Sequence, residues 1–434
     1  MEGIEKAVIN NHQLTQVVCC NSLQGSFKQG IIKRNIVNEI IKYIDTDNIL
    51  VLRGARQVGK TYILYFLQEY LKKQEKSTYF IDLEDSRLVD VLDGGVDSLV
   101  SYLEGEGVDL KKLKDRSRKL YLFIDEIQYL LKPSSFLKLL VDHHKYIQLI
   151  VSGSSSFNIK KKFSDSLSGR TVNFDIYNLS FSEFLRFKGI DLNLESLSQF
   201  HKQKAIELYK EYALYGGYPK IVLEQSKEKK ERYLQQIIDT YVKKDVRDLA
   251  DVRDTKKFND LLKILASQSS GMLNISQLAS ICSLSQATVE NYLFILESTY
   301  VIKLVPPFSR SSKVEVVKAP KIFFYDTGLM QVLHLNSLQS VLTGGVFETS
   351  VFSELCKKYS VENIRYWRTK KQVEIDFVLN AGRKILPLEV KENFSSFNER
   401  AIIAFCERYK TKDYKLVSLF GQKKRENSIF PWEI

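Results

Sequence analysis

Short apolar runs alternate with helix-length amphipathic segments between about residues 48 and 177. The runs read NILVL, STYFIDL, KLYLFID, YIQLIVSG and TVNFDIY, and each has the length of a buried β-strand. Strands that alternate with helices along a chain form a mostly parallel sheet covered by helices. The pattern therefore predicts an α/β fold, with a parallel sheet and helices on both faces, in this part of the chain.

A different pattern follows the last of these runs. A helical stretch extends from about residue 180 to 270 and is interrupted by GGYP at residues 216–219. The next segment, MLNISQLASICSLSQATVENYLFILESTYVIKLVPPF, has the helix, turn, helix and strand of a winged helix-turn-helix. From about Thr343 the order is a helix, three strands, a helix and a strand, which predicts a small separate α/β domain.

Composition and charge narrow the class of protein. The chain has 434 residues, of which 44% are hydrophobic and 27% charged, and this excludes fibrous and largely disordered proteins. No run approaches eighteen apolar residues and the N-terminus lacks the pattern of a signal peptide, so we expect a cytoplasmic protein that does not enter a membrane. The net charge of +12 fits a polyanionic partner such as nucleic acid, but it fits a role in solubility equally well.

A glycine-rich loop joins the first predicted strand to the helix after it. Residues 54–61 read GARQVGKT, which fits the phosphate-binding pattern GxxxxGK[ST]. The candidate nucleotide-binding residues are Gly54, Ala55, Arg56, Gln57, Val58, Gly59, Lys60, Thr61 and Tyr62. The glycines let backbone N–H groups point at phosphate oxygens, Lys60 can reach the β- and γ-phosphates, and the Thr61 hydroxyl can bind Mg²⁺. The loop therefore predicts ATP and Mg²⁺ as ligands.

An acidic pair ends a later apolar strand. In KLYLFIDE, Asp125 is predicted to hold Mg²⁺ through water, and Glu126 to orient or deprotonate the attacking water. Acidic residues after a buried strand are also common at helix N-termini, so the catalytic interpretation depends on the phosphate-binding loop.

Two further candidates follow the acidic pair. Ser152 or Ser154, after the strand YIQLIV, is either a nucleotide sensor or a turn residue. Arg170, before the strand TVNFDIY, is either a surface residue or an arginine finger that reaches the γ-phosphate of a neighbouring subunit. An arginine finger acting in trans would require at least a dimer.

These motifs together resemble those of a known group of proteins. RGARQVGKT, LFIDEIQYL, VSGSSS, LSGR and LSFSEF are similar to the AAA-type ATPases of bacteria and archaea that carry a C-terminal domain of unknown function. YGGYP, IIDTYVKKDVRDLA and KIFFYDTGL resemble the second part of the same proteins. The resemblance covers nearly everything after about residue 30 and implies an ATPase fold with an attached helical region and winged helix. One departure is Asn178, where the group usually has proline before LSF.

Pattern and resemblance together predict five segments. They are an N-terminal extension at 1–30, an AAA-type P-loop ATPase domain at 31–190, a helical lid or linker at 191–255, a winged helix-turn-helix at 256–320 and a restriction-endonuclease-like domain at 321–434.

Ordered polar residues mark the strands of the C-terminal domain. Residues two apart in a strand share a face, so Glu374 and Asp376 form one pair and Glu389 and Lys391 form another. A metal-dependent phosphodiesterase needs carboxylates for Mg²⁺ and a lysine near the scissile phosphate. Asp376, Glu389 and Lys391 resemble the PD-(D/E)xK core of restriction endonucleases position by position, and they are the candidate residues of a second metal site.

The assignment of this second site leaves several alternatives open. Glu348 or Glu354 could supply the acid on the preceding helix, but the two lie six positions apart and cannot share a helical face. The domain is a working nuclease, an inactive nuclease-like module, or a half-exposed sheet on which charged residues alternate by coincidence.

Several surfaces are candidates for contact with DNA. The start of the predicted recognition helix carries Gln286, Thr288, Glu290 and Asn291, although this helix has little positive charge. Basic clusters at Lys160, Lys161 and Lys162 with Arg170, and at Lys423, Lys424 and Arg425, are alternative phosphate contacts or simply solvated surfaces.

Three functions follow from these features. The leading hypothesis is an Mg²⁺-dependent ATPase whose nucleotide cycle moves the helical and winged-helix parts on DNA. The second makes ATP the regulator of a C-terminal metal-dependent DNA nuclease. The third is a nucleotide-dependent switch that binds a protein partner and not DNA.

Overall fold

The computed structural model describes residues 31–115, 118–153, 167, 169–245, 254–309, 319–381, 384–423 and 425–434. One compact unit ends at Ile176 and a second begins at Tyr177. Each unit has hydrophobic core clusters of its own. In the described ranges, no helix is both long enough and apolar enough to cross a membrane.

The first unit is built on a five-stranded parallel sheet with flanking helices, which confirms the predicted fold class. The strand order is β2-β3-β4-β1-β5, and all neighbouring strands are parallel. The strands are β1 (Ile49–Arg53), β2 (Ser77–Asp82), β3 (Leu120–Asp125), β4 (Ile147–Gly153) and β5 (Thr171–Asp175). The helices are α1 (Val37–Ile41), α2 (Lys60–Lys72), α3 (Ser86–Asp93), α4 (Val96–Gly105), α5 (Leu110–Asp115) and α6 (Pro133–His143).

The central strands of this sheet are buried along their whole length. Every residue of β3 and β4 is buried, because helices cover a parallel sheet and its strands can be continuously apolar. Crossover helices bring the carboxyl ends of β1, β3 and β4 to one edge of the sheet. This edge is where polar residues at the strand ends can meet.

The second unit combines helices with two sheets. Its helices are α7 (Phe181–Phe187), α8 (Gln199–Tyr215), α9 (Pro219–Leu223), α10 (Lys227–Ile237), a π-helix (Ile238–Asp245), α11 (Thr255–Ser267), α12 (Ile275–Cys282), α13 (Gln286–Ser298), α14 (Thr327–Leu335), α15 (Gly344–Lys358) and α16 (Arg400–Tyr409). Its strands are β6 (Ile302–Val305), β7 (Lys321–Phe324), β8 (Ile364–Arg368), β9 (Glu374–Ala381), β10 (Lys384–Val390), β11 (Lys415–Val417) and β12 (Ser428–Ile429).

The two sheets of the second unit differ in pairing. Strands β6 and β7 form an antiparallel pair. The five-stranded sheet has the order β12-β11-β10-β9-β8, with β8, β9 and β10 antiparallel and β10, β11 and β12 parallel. The succession of α15, three strands, α16 and β11 is the order that the sequence predicts.

Helix α7 belongs to the core of the second unit, whereas the predicted ATPase domain extends to residue 190. A capping box between Ser180 and Glu183 starts this helix. Phe181 then packs against the rings of Tyr209 and Tyr212 in the same cluster. The boundary of the compact unit therefore falls before the helix, because the helix buries its aromatic face with α8.

A helix-turn-helix is formed by α12 and α13. Asn274 caps α12, and Ser283 in the turn adopts a left-handed backbone conformation with φ of 52°. Of the candidate DNA-contacting residues, Gln286, Glu290 and Asn291 are exposed on α13 and Thr288 is half-buried. The identity of the whole region as a winged helix remains a prediction.

The motifs GGYP and YDTGL meet at a buried carboxylate. Asp326 accepts hydrogen bonds from the backbone N–H of Leu329 at 2.9 Å and of Gly217 at 2.8 Å, and from the Asn178 amide at 2.6 Å. Burial raises the pKa of Asp326, and these hydrogen bonds oppose the shift. Gly216 packs so closely that a Cβ atom there would lie 2.2 Å from an Asp326 oxygen. The two motifs therefore have a structural role, and Asn178 uses its amide within it.

We expect Gly216→Ala to lower the free energy of unfolding of the second unit by about 2–4 kcal/mol. The new methyl group would clash with Asp326, and φ at this position is +80°. Tryptophan fluorescence in urea is a suitable measurement, because both tryptophans, Trp367 and Trp432, lie in this unit. Gly189→Ala is the matched control, because φ is +67° there but no atom lies within 4 Å of the added carbon. Equal losses for the two variants would contradict the steric argument.

Candidate nucleotide site and C-terminal carboxylate cluster

The phosphate-binding loop lies between β1 and α2, as the sequence predicts. Gly54 lies so close to the backbone of Ile176 that a Cβ atom would be 2.2 Å from its carbonyl oxygen. Gly59 precedes the helix with φ of +96°, a conformation that glycine adopts without strain. Gln57 also has a positive φ, at 62°. The close packing at Gly54 and the positive φ at Gly59 explain why the loop has glycine at these two positions.

Lys60 is the first residue of α2 and its side chain lies over the loop. It is 4% exposed, and its ammonium group donates to the carbonyl oxygens of Ala55 at 2.8 Å and Gly54 at 3.2 Å. Burial lowers the pKa of Lys60, while Glu126 and Asp125 oppose that shift. A cation with this little solvent has an enhanced electrostatic effect on any anion that the loop binds.

Thr61, Asp125 and Ser152 form a chain of hydrogen bonds across three elements. The Thr61 hydroxyl donates to one Asp125 oxygen at 2.6 Å, and the Ser152 hydroxyl donates to the other. Asp125 is 2% exposed, and burial raises its pKa against the opposing effect of the hydrogen bonds from Ser152 and Thr61. The strand order explains the convergence, because β4 lies between β3 and β1.

Glu126 follows Asp125 and lies at the same edge of the sheet. Its backbone has a left-handed conformation with φ of 54°, and its N–H donates to Asp125 at 3.1 Å and to the Ser152 hydroxyl at 3.2 Å. The Gln128 amide donates to its carboxylate. The hydrogen bond from Gln128 helps to fix the orientation of the Glu126 carboxylate.

The donor set at this edge fits Mg²⁺ bound together with a phosphate. Hydroxyl and carboxylate oxygens are the ligands that Mg²⁺ takes from proteins, and it keeps several waters and phosphate oxygens besides. Thr61 and Asp125 provide one oxygen of each kind within 2.6 Å of each other. In the described residues no three histidine, cysteine, aspartate or glutamate side chains form a metal-binding group, so the protein alone would supply few ligands.

Three other residues of this region were not identified from the sequence. Arg34 is buried, and its guanidinium donates to the Val58 carbonyl of the loop at 2.7 Å. Asp82 lies opposite Asp125 in the register of β2 and β3, and Glu84 follows it. Burial and the nearby Asp82 carboxylate raise the pKa of Glu84. The sequence signal for Asp82 and Glu84 was the pair of acidic residues at the end of the apolar run STYFIDLED, because β3 also ends in acidic residues.

Arg170 lies away from the phosphate-binding loop of its own chain. It precedes β5, whose other end, Asp175, is opposite Arg53. A strand of this length separates the two edges of the sheet by about 17 Å. Arg170 is half-exposed and forms an ion pair with Asp142 at 3.0 Å. Arg170 could therefore act as an arginine finger only on a nucleotide bound to another copy of the chain. That role stays a prediction.

Other predicted residues fall outside these clusters. Tyr62 is on the exposed side of α2, with 38% of its surface accessible. Ser154, the lysines at 160–162 and Lys424 lie outside the described residues. Lys423 is described and forms an ion pair with Glu433 at 2.5 Å, while Arg425 pairs with Glu399.

The candidate residues of the C-terminal domain come together on β9 and β10. Asp376 and Glu389 are buried, and Lys391 contacts both of them, at 3.4 Å and 2.7 Å respectively. Asp376 also accepts a hydrogen bond from the Val390 N–H at 2.7 Å. Burial and the Asp376 charge raise the pKa of Glu389. Within the described part of the chain, the second Glu389 oxygen is buried without a hydrogen-bond partner.

The structure distinguishes between the two helix acids. Glu348 on α15 lies at the cluster, because it shares Lys321 with Glu374 and Asp376. Glu354 instead accepts hydrogen bonds from the Tyr212 hydroxyl and the Phe181 N–H. Glu354 is thus part of the packing around α7 and α8.

Three family models match successive parts of the chain. Residues 46–185 match the family described as AAA domain, residues 206–340 a domain of unknown function (DUF8612), and residues 343–433 a second domain of unknown function (DUF4143).

Similar proteins are found in archaea and bacteria. An uncharacterized protein of Methanocaldococcus jannaschii is 28% identical over 417 residues, which cover 94% of this chain and 88% of that protein. An uncharacterized protein of Haemophilus influenzae is 26% identical over 372 residues, which cover 84% and 87%. Among solved structures, a Walker-type ATPase of Pyrococcus abyssi is 13% identical with a TM-score of 0.47, and the match covers 70% of this chain and 95% of that one. The AAA domain match and the P-loop sheet support an AAA-type ATPase fold followed by a C-terminal region of unknown function.

Proposed function

We propose that the first unit binds ATP with Mg²⁺ and hydrolyses it. The observation that carries this proposal is the hydrogen bond between Thr61 and Asp125 beside the buried ammonium group of Lys60. A lysine and a hydroxyl at the start of one helix, together with a carboxylate at the end of a strand, are groups that phosphoryl transfer uses for positioning and charge stabilisation.

Each residue has a defined role in this proposal. Lys60 binds the β- and γ-phosphates and stabilises the charge that develops on them. Thr61 and Asp125 would hold Mg²⁺, which neutralises phosphate charge when it is bound. Glu126 orients a water molecule and accepts its proton, and Gln128 keeps the Glu126 carboxylate in place. Ser152 orients Asp125 through its hydrogen bond and is placed to respond when the environment of Asp125 changes.

Arg170 is proposed to act on the nucleotide of a second copy. Its place at the amino end of β5 supports this role, because it lies on the opposite edge from its own loop. The ion pair with Asp142 would have to open first. This part of the proposal implies that the chain works as at least a dimer.

The nucleotide cycle is proposed to change the conformation of the second unit on DNA. The helix-turn-helix of α12 and α13 supports this proposal, together with the net charge of +12. Gln286 and Asn291 are exposed near the start of α13, where side chains can reach base edges. A protein partner is the second candidate, because Phe294 on α13 and Ile281 on α12 are more than half exposed.

The test is phosphate release by the full chain with Mg²⁺, measured with and without double-stranded DNA. We expect turnover that stops when EDTA removes the metal and that increases when DNA is added. If no phosphate is released under any of these conditions, ATP hydrolysis is not the function of the site. Turnover that is unchanged by DNA would favour the protein partner.

We also expect the double variant Gln286→Ala, Asn291→Ala to bind DNA about 10-fold more weakly than the wild type. Binding is measured by fluorescence anisotropy from low to moderate salt, because phosphate contacts make affinity fall as salt rises. Gln199→Ala, at an exposed position on α8, is the control and should bind as the wild type does. Unchanged DNA affinity in the double variant would exclude α13 as the DNA-recognition helix.

A further inference from the structure

A lysine from the antiparallel β6–β7 pair lies inside the carboxylate cluster of the C-terminal sheet. Lys321, the first residue of β7, is 3% exposed. Its Nζ atom is 2.6 Å from Glu374, 3.0 Å from Glu348 and 4.0 Å from Asp376. The three carboxylates come from α15 and β9, and this ammonium group lies where they converge.

The carboxylates of this cluster are already paired with cationic side chains. Lys321 forms ion pairs with Glu374 at 2.6 Å and with Glu348 at 3.0 Å. Lys391 and Arg368 add two more cations beside the same carboxylates, on Asp376 and Glu374 respectively. A divalent ion would have to approach these oxygens to about 2.0–2.1 Å for Mg²⁺. The positive charge of Lys321 would repel it there.

The backbone around Lys321 is fixed by packing on several sides. Lys321 pairs with Val305 of β6 and bridges to Met272. Two residues further along β7, the Phe323 ring stacks on Phe352 at 4.7 Å and lies 5.2 Å from Phe377. This packing holds the Lys321 backbone beside the carboxylates, and its side chain is buried among them.

We propose that the Lys321 ammonium is the resident cation of this cluster and takes the place of a divalent metal. The C-terminal domain then has no metal-dependent nuclease activity at Asp376 and Glu389. The lysine instead ties β7 to the C-terminal sheet through ion pairs. This inference goes beyond ATP hydrolysis and does not depend on it, because it concerns the second unit alone.

The first test compares thermal unfolding of the nucleotide-free full chain with and without millimolar Mn²⁺, followed by tryptophan fluorescence. We expect no shift of the wild-type Tm with Mn²⁺. Lys321→Met keeps the length of the side chain but removes the charge, and we expect its Tm to be lower by about 5 °C or more. Mn²⁺ should recover part of this loss, because a divalent ion can then bind the three freed carboxylates.

Lys303→Met is the matched control. Lys303 is on the neighbouring strand β6 and forms ion pairs of 3.4 Å with Glu297 and Glu362, of which Glu362 is largely exposed. We expect this variant to show a smaller loss of Tm and no response to Mn²⁺. A Lys321→Met protein with the wild-type Tm would overturn the proposal, and so would a loss of Tm that Mn²⁺ does not recover.

A second test does not depend on the folding of Lys321→Met. The wild type and Asp376→Asn are titrated with Mn²⁺ and then incubated with plasmid DNA and Mn²⁺. We expect that Mn²⁺ does not raise the Tm of the wild type. We also expect that the wild type shows no DNA cleavage of the kind that Asp376→Asn would abolish. Either of these two effects in the wild type would show that the cluster binds a metal in spite of Lys321 and would refute the proposal.

Discussion

Replacing Lys60 with alanine should lower ATP turnover by about 100- to 1,000-fold. The buried ammonium group donates hydrogen bonds to the carbonyls of Gly54 and Ala55 in the phosphate-binding loop. Its loss removes charge stabilisation that is strong because the site has little solvent. Turnover by phosphate release and affinity by a fluorescent ATP analogue are the measurements, and we expect both to fall.

Lys72→Ala is the control for this variant. Lys72 ends the same helix, is half-exposed and pairs with Glu69 at the surface. We expect turnover within about twofold of the wild type, because exposed ion pairs contribute little to stability. Because Lys60 is buried, the Tm of Lys60→Ala must also be measured to exclude general unfolding. A folded Lys60→Ala protein with normal turnover would show that the phosphates do not bind at this loop.

Glu126→Gln should separate binding from chemistry. The amide keeps the size of the side chain but cannot accept the proton of the attacking water, so we expect turnover to fall by about 100- to 1,000-fold. Affinity for the ATP analogue should stay within about threefold, because Lys60 and Thr61 are unchanged. Single-turnover hydrolysis together with equilibrium binding is the decisive measurement.

The control for Glu126→Gln is Glu104→Gln, at an exposed position on α4. It makes the same chemical change away from the site and should leave both quantities unaltered. If Glu126→Gln hydrolyses ATP at the wild-type rate, another group accepts the proton. Glu84 would then be the first residue to examine, because Asp82, its neighbour in sequence, lies opposite Asp125 in the sheet.

The candidate nucleotide site could be located in the sequence because its main parts are short and contiguous. The two glycines of the loop at 54–61 allow its backbone conformation. The strand before the loop and the helix after it determine its position in the fold. Thr61 and Asp125 are 64 positions apart, yet their contact follows from the parallel sheet, which brings strand ends to one edge. Arg34 could not be predicted, because it binds a backbone carbonyl that has no side-chain signature.

The C-terminal cluster was predictable only in part. The strand period places Asp376 and Glu389 on defined faces, and these residues do meet. The choice between Glu348 and Glu354 depended on how α15 rotates against its neighbours, which the sequence pattern does not determine. Lys321 was missed because it lies outside the strands on which the polar pairs were recognised, and its approach to the cluster depends on tertiary packing.

The chain leaves β5 through two close contacts that are only two residues apart. The Ile176 carbonyl lies against Gly54 of the phosphate-binding loop, and two residues later the Asn178 amide binds the buried Asp326 carboxylate. Two residues of fully extended chain span only about 7 Å. The backbone from Ile176 to Asn178 is therefore held at both ends and has little conformational freedom while both contacts persist. Inserting a few glycines after Tyr177 would remove that constraint.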